Sequence, residues 1–378
     1  MRPTDTAELV EIIAAAAAAG GRLELRGGGS KSDIGAPRQV TVVEMTGFSG
    51  VIDYDPAELV LTVAAGTPLA EVEALVLGQG QMLAFEPFDH GPIFGRPPGA
   101  ATIGGVVAAG VSGSRRVSRG AARDHLLGFK AVSGRGEAFV GGAKVVKNVT
   151  GYDLPKLMTG GWGRLAALTE VTLKVLPRPE VVLTLALDGL EPRAAQAAMS
   201  KAMGSQADLA AAAHAPGFTA FRLEGFGPSV TARRGALEAL LAGAGSLRAL
   251  PDAEAATFWR GLRELDALGD DRPLWRVSTP PSRACEIVET LAPLGARWLM
   301  DWAGGLVWLA FDGEPAAVRQ AAETGGGHAM LVRAPESLRA QVPALHPQPS
   351  GVRALEARVR RAFDPSGVFE TGRFLDAD

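Results

Sequence analysis

Three consecutive glycines followed by hydroxyls and a cation are the first residues in this chain that could do chemistry. Arg26, Gly27, Gly28, Gly29, Ser30, Lys31 and Ser32 follow a short alternating segment, Arg22–Arg26. Successive glycines let the backbone curl its N–H groups around a phosphate, and the flanking side chains add donors. The strict P-loop pattern needs Gly-Lys-Ser/Thr, and here Ser30 precedes Lys31, so this is not a P-loop. A glycine loop after a strand also serves as a plain turn. The second such stretch is Pro97–Gly120. Thr102 is placed to cap a helix whose apolar face is Ile103, Val106 and Val107. Gly104 and Ala108 form a nearly bare stripe. Glycine in a helix costs about 1 kcal/mol relative to alanine. Two reasons for the stripe stay open: close approach of backbone to a ligand such as a pyrophosphate, or tight packing on a strand.

The elements that must position these loops read as α+β. A helix over residues 6–19 with a Thr6 cap precedes strand Arg22–Arg26, and short strands follow at Val40–Val43, Val51–Asp53 and Glu58–Ala64. Leu69–Leu77 is helical, Leu126–Ser133 and Glu137–Val140 form a hairpin, and Leu168–Leu176 is a strand ending at Pro177. Short strands separated by single helices are not a regular parallel Rossmann sheet. Gly161, Gly163 and Ala166 match Gly-x-Gly-x-x-Ala, but a helix precedes them and a strand follows, the reverse of the dinucleotide fingerprint. After Pro179 the texture changes to strands and helices consistent with one antiparallel sheet bearing helices on one face. The domains expected are 1–178, a cap of 179–335, and a segment 336–378 whose helix Ser350–Phe363 returns to the first.

Bulk properties narrow the function. The chain has 378 residues, 47% hydrophobic and 21% charged, with a net charge of −3 and no long basic block, which argues against nucleic acid as a partner. Cys285 is the single cysteine, so neither an internal disulfide nor a self-sufficient iron–sulfur cluster can form. Asp5, Glu8 and Glu11 stand where a signal peptide needs basic residues, and Ile12–Ala19 is too short to span a bilayer; a cytoplasmic protein is expected. Arg115, Arg116, Arg119 and Arg123 form either a solvated face or a grip on phosphate or an acidic surface. His90, His125, His214, His328 and His346 include no pair at metal-ligand spacing, and no catalytic residue is assigned.

Arg26–Ser32, Pro98–Gly113, Val146–Leu157 and Gly160–Lys174 together resemble the PCMH-type FAD-binding domain of the vanillyl-alcohol oxidase family, and most nearly the FAD-binding subunits of bacterial glycolate oxidases. The resemblance implies a two-part FAD-binding domain plus an α+β cap. It implies that Arg26, Gly27, Gly28, Gly29, Ser30 and Lys31 wrap the pyrophosphate. Ala101, Thr102, Gly104, Gly105, Ala108, Ser112 and Gly113 would line pyrophosphate and isoalloxazine. Gly151, Tyr152, Asp153 and Leu154, with Gly163 and Leu168, would continue the pocket. Relatives that bind flavin covalently use histidine or cysteine in the first loop; Ser30 stands there, so FAD is expected non-covalently. Trp162 and Ala166 depart from the family's acid and glycine, and Glu370 stands where relatives carry asparagine near the flavin. The function implied is an FAD subunit of a glycolate or other 2-hydroxy acid oxidising complex. It would relay electrons or support assembly beside a homologous catalytic flavoprotein and an iron–sulfur subunit, reaching the inner face of the membrane only through partners. The alternatives are a self-sufficient FAD-dependent dehydrogenase of small 2-hydroxy acids and a cofactor-free structural subunit.

Overall fold

A computed structural model describes residues 1–143 and 152–375; residues 146–151 of the Val146–Leu157 segment, Gly151 among them, lie outside these. The chain divides into two compact units. The first comprises Met1–Ser112, Gly120–Arg178 and Pro347–Asp378, and the second Gly113–Arg119 and Pro179–His346.

In the first unit, helix α1 (Thr6–Ala18) buries Leu9 and Ile13. Its cap is Asp5, not Thr6: the Asp5 carboxylate accepts from the Glu8 amide at 2.9 Å, satisfying a first-turn N–H. Strands β1 (Leu23–Arg26) and β2 (Thr41–Glu44) pair in parallel. A separate antiparallel sheet is built from β3 (Val51–Asp55), β4 (Val60–Ala64), β5 (Leu126–Ser133), β6 (Ala138–Gly142) and β7 (Ala166–Lys174), in the order β3-β4-β7-β5-β6. Helices α2 (Leu69–Gly78) and α3 (Ile103–Ala109) bury Val72, Val76, Ile103, Val106 and Val107 in one core with Leu61, Val63, Val171 and Leu173 of the sheet. A short helix α4 (Leu154–Met158) precedes the Gly161–Ala166 segment and β7 follows it, so no helix opens there and the Rossmann reading stays excluded.

The second unit holds a repeat that composition does not reveal. Strand β8 (Val181–Asp188), helix α5 (Pro192–Met203), strands β9 (Ala211–Ala215) and β10 (Phe218–Gly225), helix α6 (Gly227–Leu241) and strand β11 (Arg248–Ala249) make one βαββαβ motif. Helix α7 (Asp252–Glu264) leads to a second: β12 (Leu274–Ser278), α8 (Ala284–Leu291), β13 (Arg297–Asp301), β14 (Leu306–Ala310), α9 (Pro315–Thr324) and β15 (His328–Arg333). Their order in one eight-stranded sheet is β11-β8-β10-β9-β13-β14-β12-β15, the same arrangement running outward twice from the β9–β13 seam. That seam is the single antiparallel pairing His214↔Met300.

Leu185, Phe221, Leu223 and Val277 pack one face of this sheet against Met199, Leu237 and Ile287 of the helices. Thr184 and Arg222 alternate with Leu185 and Phe221 and so point the other way. There Trp259 of α7 donates to Thr184 Oγ1 at 3.0 Å and its ring lies 4.5 Å from the Arg222 guanidinium. Helices therefore cover both faces, which corrects the one-face expectation.

Gly113–Arg119 belongs to this unit through its side chains. Arg115 pairs with the buried Glu224 at 2.8 Å, Ser114 Oγ donates to Asp301 at 2.8 Å, and Arg116 stacks on Trp302 at 4.2 Å. Finally, α10 (Ser350–Phe363) returns to the first unit, where Val359 and Phe363 pack on its core. The buried Asp364 then turns the chain by accepting from the Val368 and Phe369 amides at 2.8 and 2.7 Å.

Candidate functional site

The two glycine-bearing bends meet. The loop after β1 and the N-terminus of α3 line one cleft of about 740 Å³, part of it open to solvent, within the first unit. Thr102 caps α3, its Oγ1 accepting from the Gly105 amide at 3.2 Å. A side chain on Gly27 would collide with Thr102 Oγ1, and one on Gly28 with the Ala100 carbonyl, so these glycines let the bends close on each other. Gly29 has a φ of 81°, the left-handed conformation glycine adopts without strain. Asp89 pins the approach to α3 by accepting from the Gly91, Gly99 and Ala101 amides at 2.8, 2.8 and 3.0 Å.

Of the residues expected at the site, Arg26, Gly27, Gly28, Gly29, Ser30, Lys31, Thr102, Gly104, Gly105, Ala108, Gly163 and Leu168 line this cleft. The others do not. Ala101 is buried beside it with its amide on Asp89. Ser112 Oγ accepts from the Ala122 amide at 3.0 Å, and the Gly113 carbonyl accepts from Trp302 Nε1 at 3.0 Å in the second unit. Tyr152 is exposed, Asp153 caps α4 and pairs with Lys156 at 2.7 Å, and Leu154 packs against the first unit's core. Gly151 is outside the described residues.

Sequence reasoning missed Glu24, Met45 and Arg373, which also line the cleft, as does Trp162, where the family carries an acid. Arg373 arrives from the chain's far end. Its Nε donates to the Ile34 carbonyl at 3.0 Å and its Nη2 to the Lys31 carbonyl, while its guanidinium stacks 4.9 Å from the Trp162 ring. The sequence signal is the run Gly372-Arg373 at the end of the segment that opens with Asp364. Glu370 instead pairs with Arg164 and Arg360, each at 3.2 Å.

Electrostatics give the cleft its sign. Burial pushes the Glu24 carboxyl up, yet the Arg38 hydrogen bond at 2.7 Å and the charges of Arg38, Arg26 and Arg373 together hold it below its ordinary value. Burial pushes Lys31 down to about 8, partly countered by Asp89 and reinforced by Arg373. Arg373 is pushed down to about 9, mainly by burial and then by Arg38. Among the described residues neither Lys31 nor Arg373 forms an ion pair with a carboxylate. Desolvated cations without a counter-ion are costly, and bare amides beside them complete a receptor for a buried anion. A dinucleotide's diphosphate fits that donor set, and the cleft is of ligand size. Arg26–Lys31 and the α3 N-terminus would hold it, and the flavin, when bound, supplies the two-electron acceptor chemistry.

Two of the five histidines, His328 and His346, lie near each other in the second unit: burial, then the charges of Arg276 and His346, pushes the His328 ring below its ordinary value. His125 lies against Phe85, His214 against Trp298, and His346 pairs with Glu323 at 3.2 Å. Among the described residues no three His, Cys, Asp or Glu side chains converge as a metal site, and no helix is long and apolar enough to cross a membrane.

The fold and cleft define an FAD-dependent oxidoreductase: the FAD binding domain family FAD_binding_4 matches residues 1–142. A solved structure of alkyldihydroxyacetonephosphate synthase shares the fold at a TM-score of 0.69 and 15% identity, covering 98% of this chain and 76% of that one. The chain belongs to the family of the glycolate oxidase subunit GlcE, being 33% identical to the Escherichia coli (strain K12) protein over 353 residues, 93% of this chain and 92% of GlcE. D-lactate dehydrogenase of Anaerostipes hadrus is 34% identical over 144 residues, 38% of this chain and 28% of that protein.

Proposed function

We propose that this chain is the FAD-binding subunit of an assembly that oxidises glycolate or a related 2-hydroxy acid, and that its non-covalent flavin relays electrons or supports the assembly. One observation carries the reading: the likeness to GlcE runs through both units, 93% of the chain, whereas that to D-lactate dehydrogenase covers 38%. Oxidising a hydroxy acid requires a proton acceptor and cations for the carboxylate near the flavin. The lack of a convergent metal set among the described residues favours a homologous catalytic flavoprotein as the partner that binds substrate. With Cys285 as the single cysteine, onward transfer through an iron–sulfur cluster needs a second partner. Any membrane contact then comes from these partners.

A self-sufficient dehydrogenase is the second reading, favoured by a cation group in the second unit. The guanidiniums of Arg116 and Arg276 lie 4.2 and 5.0 Å from the Trp302 ring, where they could hold a carboxylate. Anaerobic mixing decides between them. Under the subunit reading, the purified chain keeps its flavin oxidised with glycolate or D-lactate alone and is reduced when its co-purified partners are added. Rapid bleaching by the acid alone overturns that reading.

A further inference from the structure

The structure assigns to Arg373 a direct role on the dinucleotide's diphosphate, as the second half of a clamp whose first half is Lys31. The inference rests on the cleft being the FAD site, and extends it to a residue at the other end of the chain.

The donor inventory carries it. A guanidinium has five N–H groups. Arg373 uses Nε on the Ile34 carbonyl at 3.0 Å and Nη2 on the Lys31 carbonyl, and has no further acceptor among the described residues. Three N–H groups remain on a half-buried side chain that lines the cleft. Lys31 is alike: its ammonium has three donors, one of them on Ser30 Oγ at 3.3 Å. These are two repelling cations, Lys31 buried and Arg373 half-buried, with donors unmatched and no carboxylate paired with either among the described residues.

The position is held firmly. The Arg373 carbonyl accepts from the Ala36 amide at 2.8 Å, and Gly35, with a φ of 92°, lies so close to Arg373 that any side chain there would strike its backbone. Trp162 and Phe374 stack on the guanidinium at 4.9 and 5.5 Å. A strap needing only to tie the tail down could do so with an apolar residue. A half-buried charge lining a cradle of bare amides instead suits a bidentate contact to phosphate oxygens, which the planar fork makes well. The C-terminal segment is thereby part of the cofactor site, and cofactor retention depends on its docking.

The test uses the full chain freed of flavin, with FAD, ADP and riboflavin as probes measured by calorimetry or fluorescence. ADP carries the diphosphate alone, and riboflavin carries none. Arg373→Gln and Lys31→Met should each weaken FAD and ADP by about ten- to a hundredfold, the worth of a charge-assisted contact, and leave riboflavin nearly unchanged. Arg373→Lys, which keeps the charge but loses the fork, should fall between. Should Arg373→Gln bind ADP like the wild type while Lys31→Met does not, the assignment of Arg373 fails and the cleft stands. Should neither variant alter ADP binding, the cleft itself is not the diphosphate site. Equal loss of riboflavin and ADP in Arg373→Gln, with Arg373→Lys no better, would make the residue a structural strap and overturn the proposal.

Discussion

The Gly104 amide donates to the Ala65 carbonyl at 2.7 Å, and a Cβ on Gly104 would stand 2.6 Å from that oxygen and 2.7 Å from Ala65 Cβ. Tight packing of α3 on the end of β4 therefore accounts for Gly104, one of the two readings its bare stripe had left open. Gly105 differs: the one atom near its Cβ position is Thr102 Oγ1 at 3.1 Å. Gly104→Ala should lose about 1–3 kcal/mol of stability through overpacking against backbone that cannot yield. Gly105→Ala should stay within about 1 kcal/mol of wild type, since better helix propensity offsets the cap contact. Urea denaturation of the two variants side by side checks the contrast; equal losses would remove the distinction.

Gly28 is constrained in a related way. A valine there collides first with the protein's own Ala100 carbonyl rather than with a bound pyrophosphate. Gly28→Val should therefore lower the melting temperature of the flavin-free chain as well as its FAD retention. A variant that loses FAD with an unchanged flavin-free melting temperature would show that only the ligand is crowded.

What was readable beforehand was local. Gly27–Gly29 and the Thr102 cap carry their meaning in adjacent residues, because turn and cap chemistry act over three or four positions. Arg373 was not readable as a site residue, since its partner Lys31 is 342 positions away and only the Asp364 turn and the Gly35 contact bring them together. Ser112 was misplaced for a similar reason: its hydroxyl faces the Ala122 amide, which a spacing rule cannot foresee. Strand β9 escaped notice because Ala211, Ala212 and Ala213 favour helix intrinsically, and burial between two strands overrides that preference. The doubled βαββαβ motif is a matter of strand order, which no local pattern records.

Thr102 both caps α3 and lines the cleft, and two substitutions separate these roles. Thr102→Val removes the acceptor for the Gly105 amide and should cost about 1 kcal/mol, while Thr102→Ser should restore most of it. If Thr102→Val were as stable as wild type, the 3.2 Å cap bond would contribute nothing to the fold.

Lys31 makes the flavin-free protein's stability depend on alkaline pH. Asp89 raises its pKa, Arg373 lowers it, Ser30 Oγ accepts a hydrogen bond from its ammonium, and Glu24 and Arg26 line the same cleft. Burial wins, so the folded-state value is about 8 against 10.5 for the free side chain. Between those values the unfolded chain binds more protons than the folded one, and stability rises with pH. Wild type should therefore gain on Lys31→Met as pH goes from about 8 to 10, by up to about 1.4 kcal/mol per unit. Bound diphosphate should suppress this, because its charge favours the ammonium. Chemical denaturation at several pH values, with and without ADP, measures both; a constant gap between wild type and variant would refute it.

His214 gives the second unit a dependence at the acid end. It sits at the seam between the two βαββαβ motifs, paired with Met300, with Nδ1 3.0 Å from Thr219 Oγ1 and Nε2 buried without a hydrogen-bond partner among the described residues. Burial pushes its pKa down to about 4, against a smaller upward effect from the Phe218 backbone. The folded protein thus holds the ring neutral while the unfolded chain protonates it near 6.5. As pH falls through that interval the unfolded state takes up the extra proton, so stability is present above 6.5 and drains away toward 4. Charging the ring would place an uncompensated cation beside Trp298 at the joint that makes the eight strands one sheet. His214→Asn cannot titrate and can keep a polar contact to Thr219. It should be less stable than wild type at pH 7, because a smaller side chain leaves a void, but its stability should fall less steeply between pH 6.5 and 4.5. Parallel denaturation curves for the two proteins across that range would mean that His214 does not couple the seam to protonation.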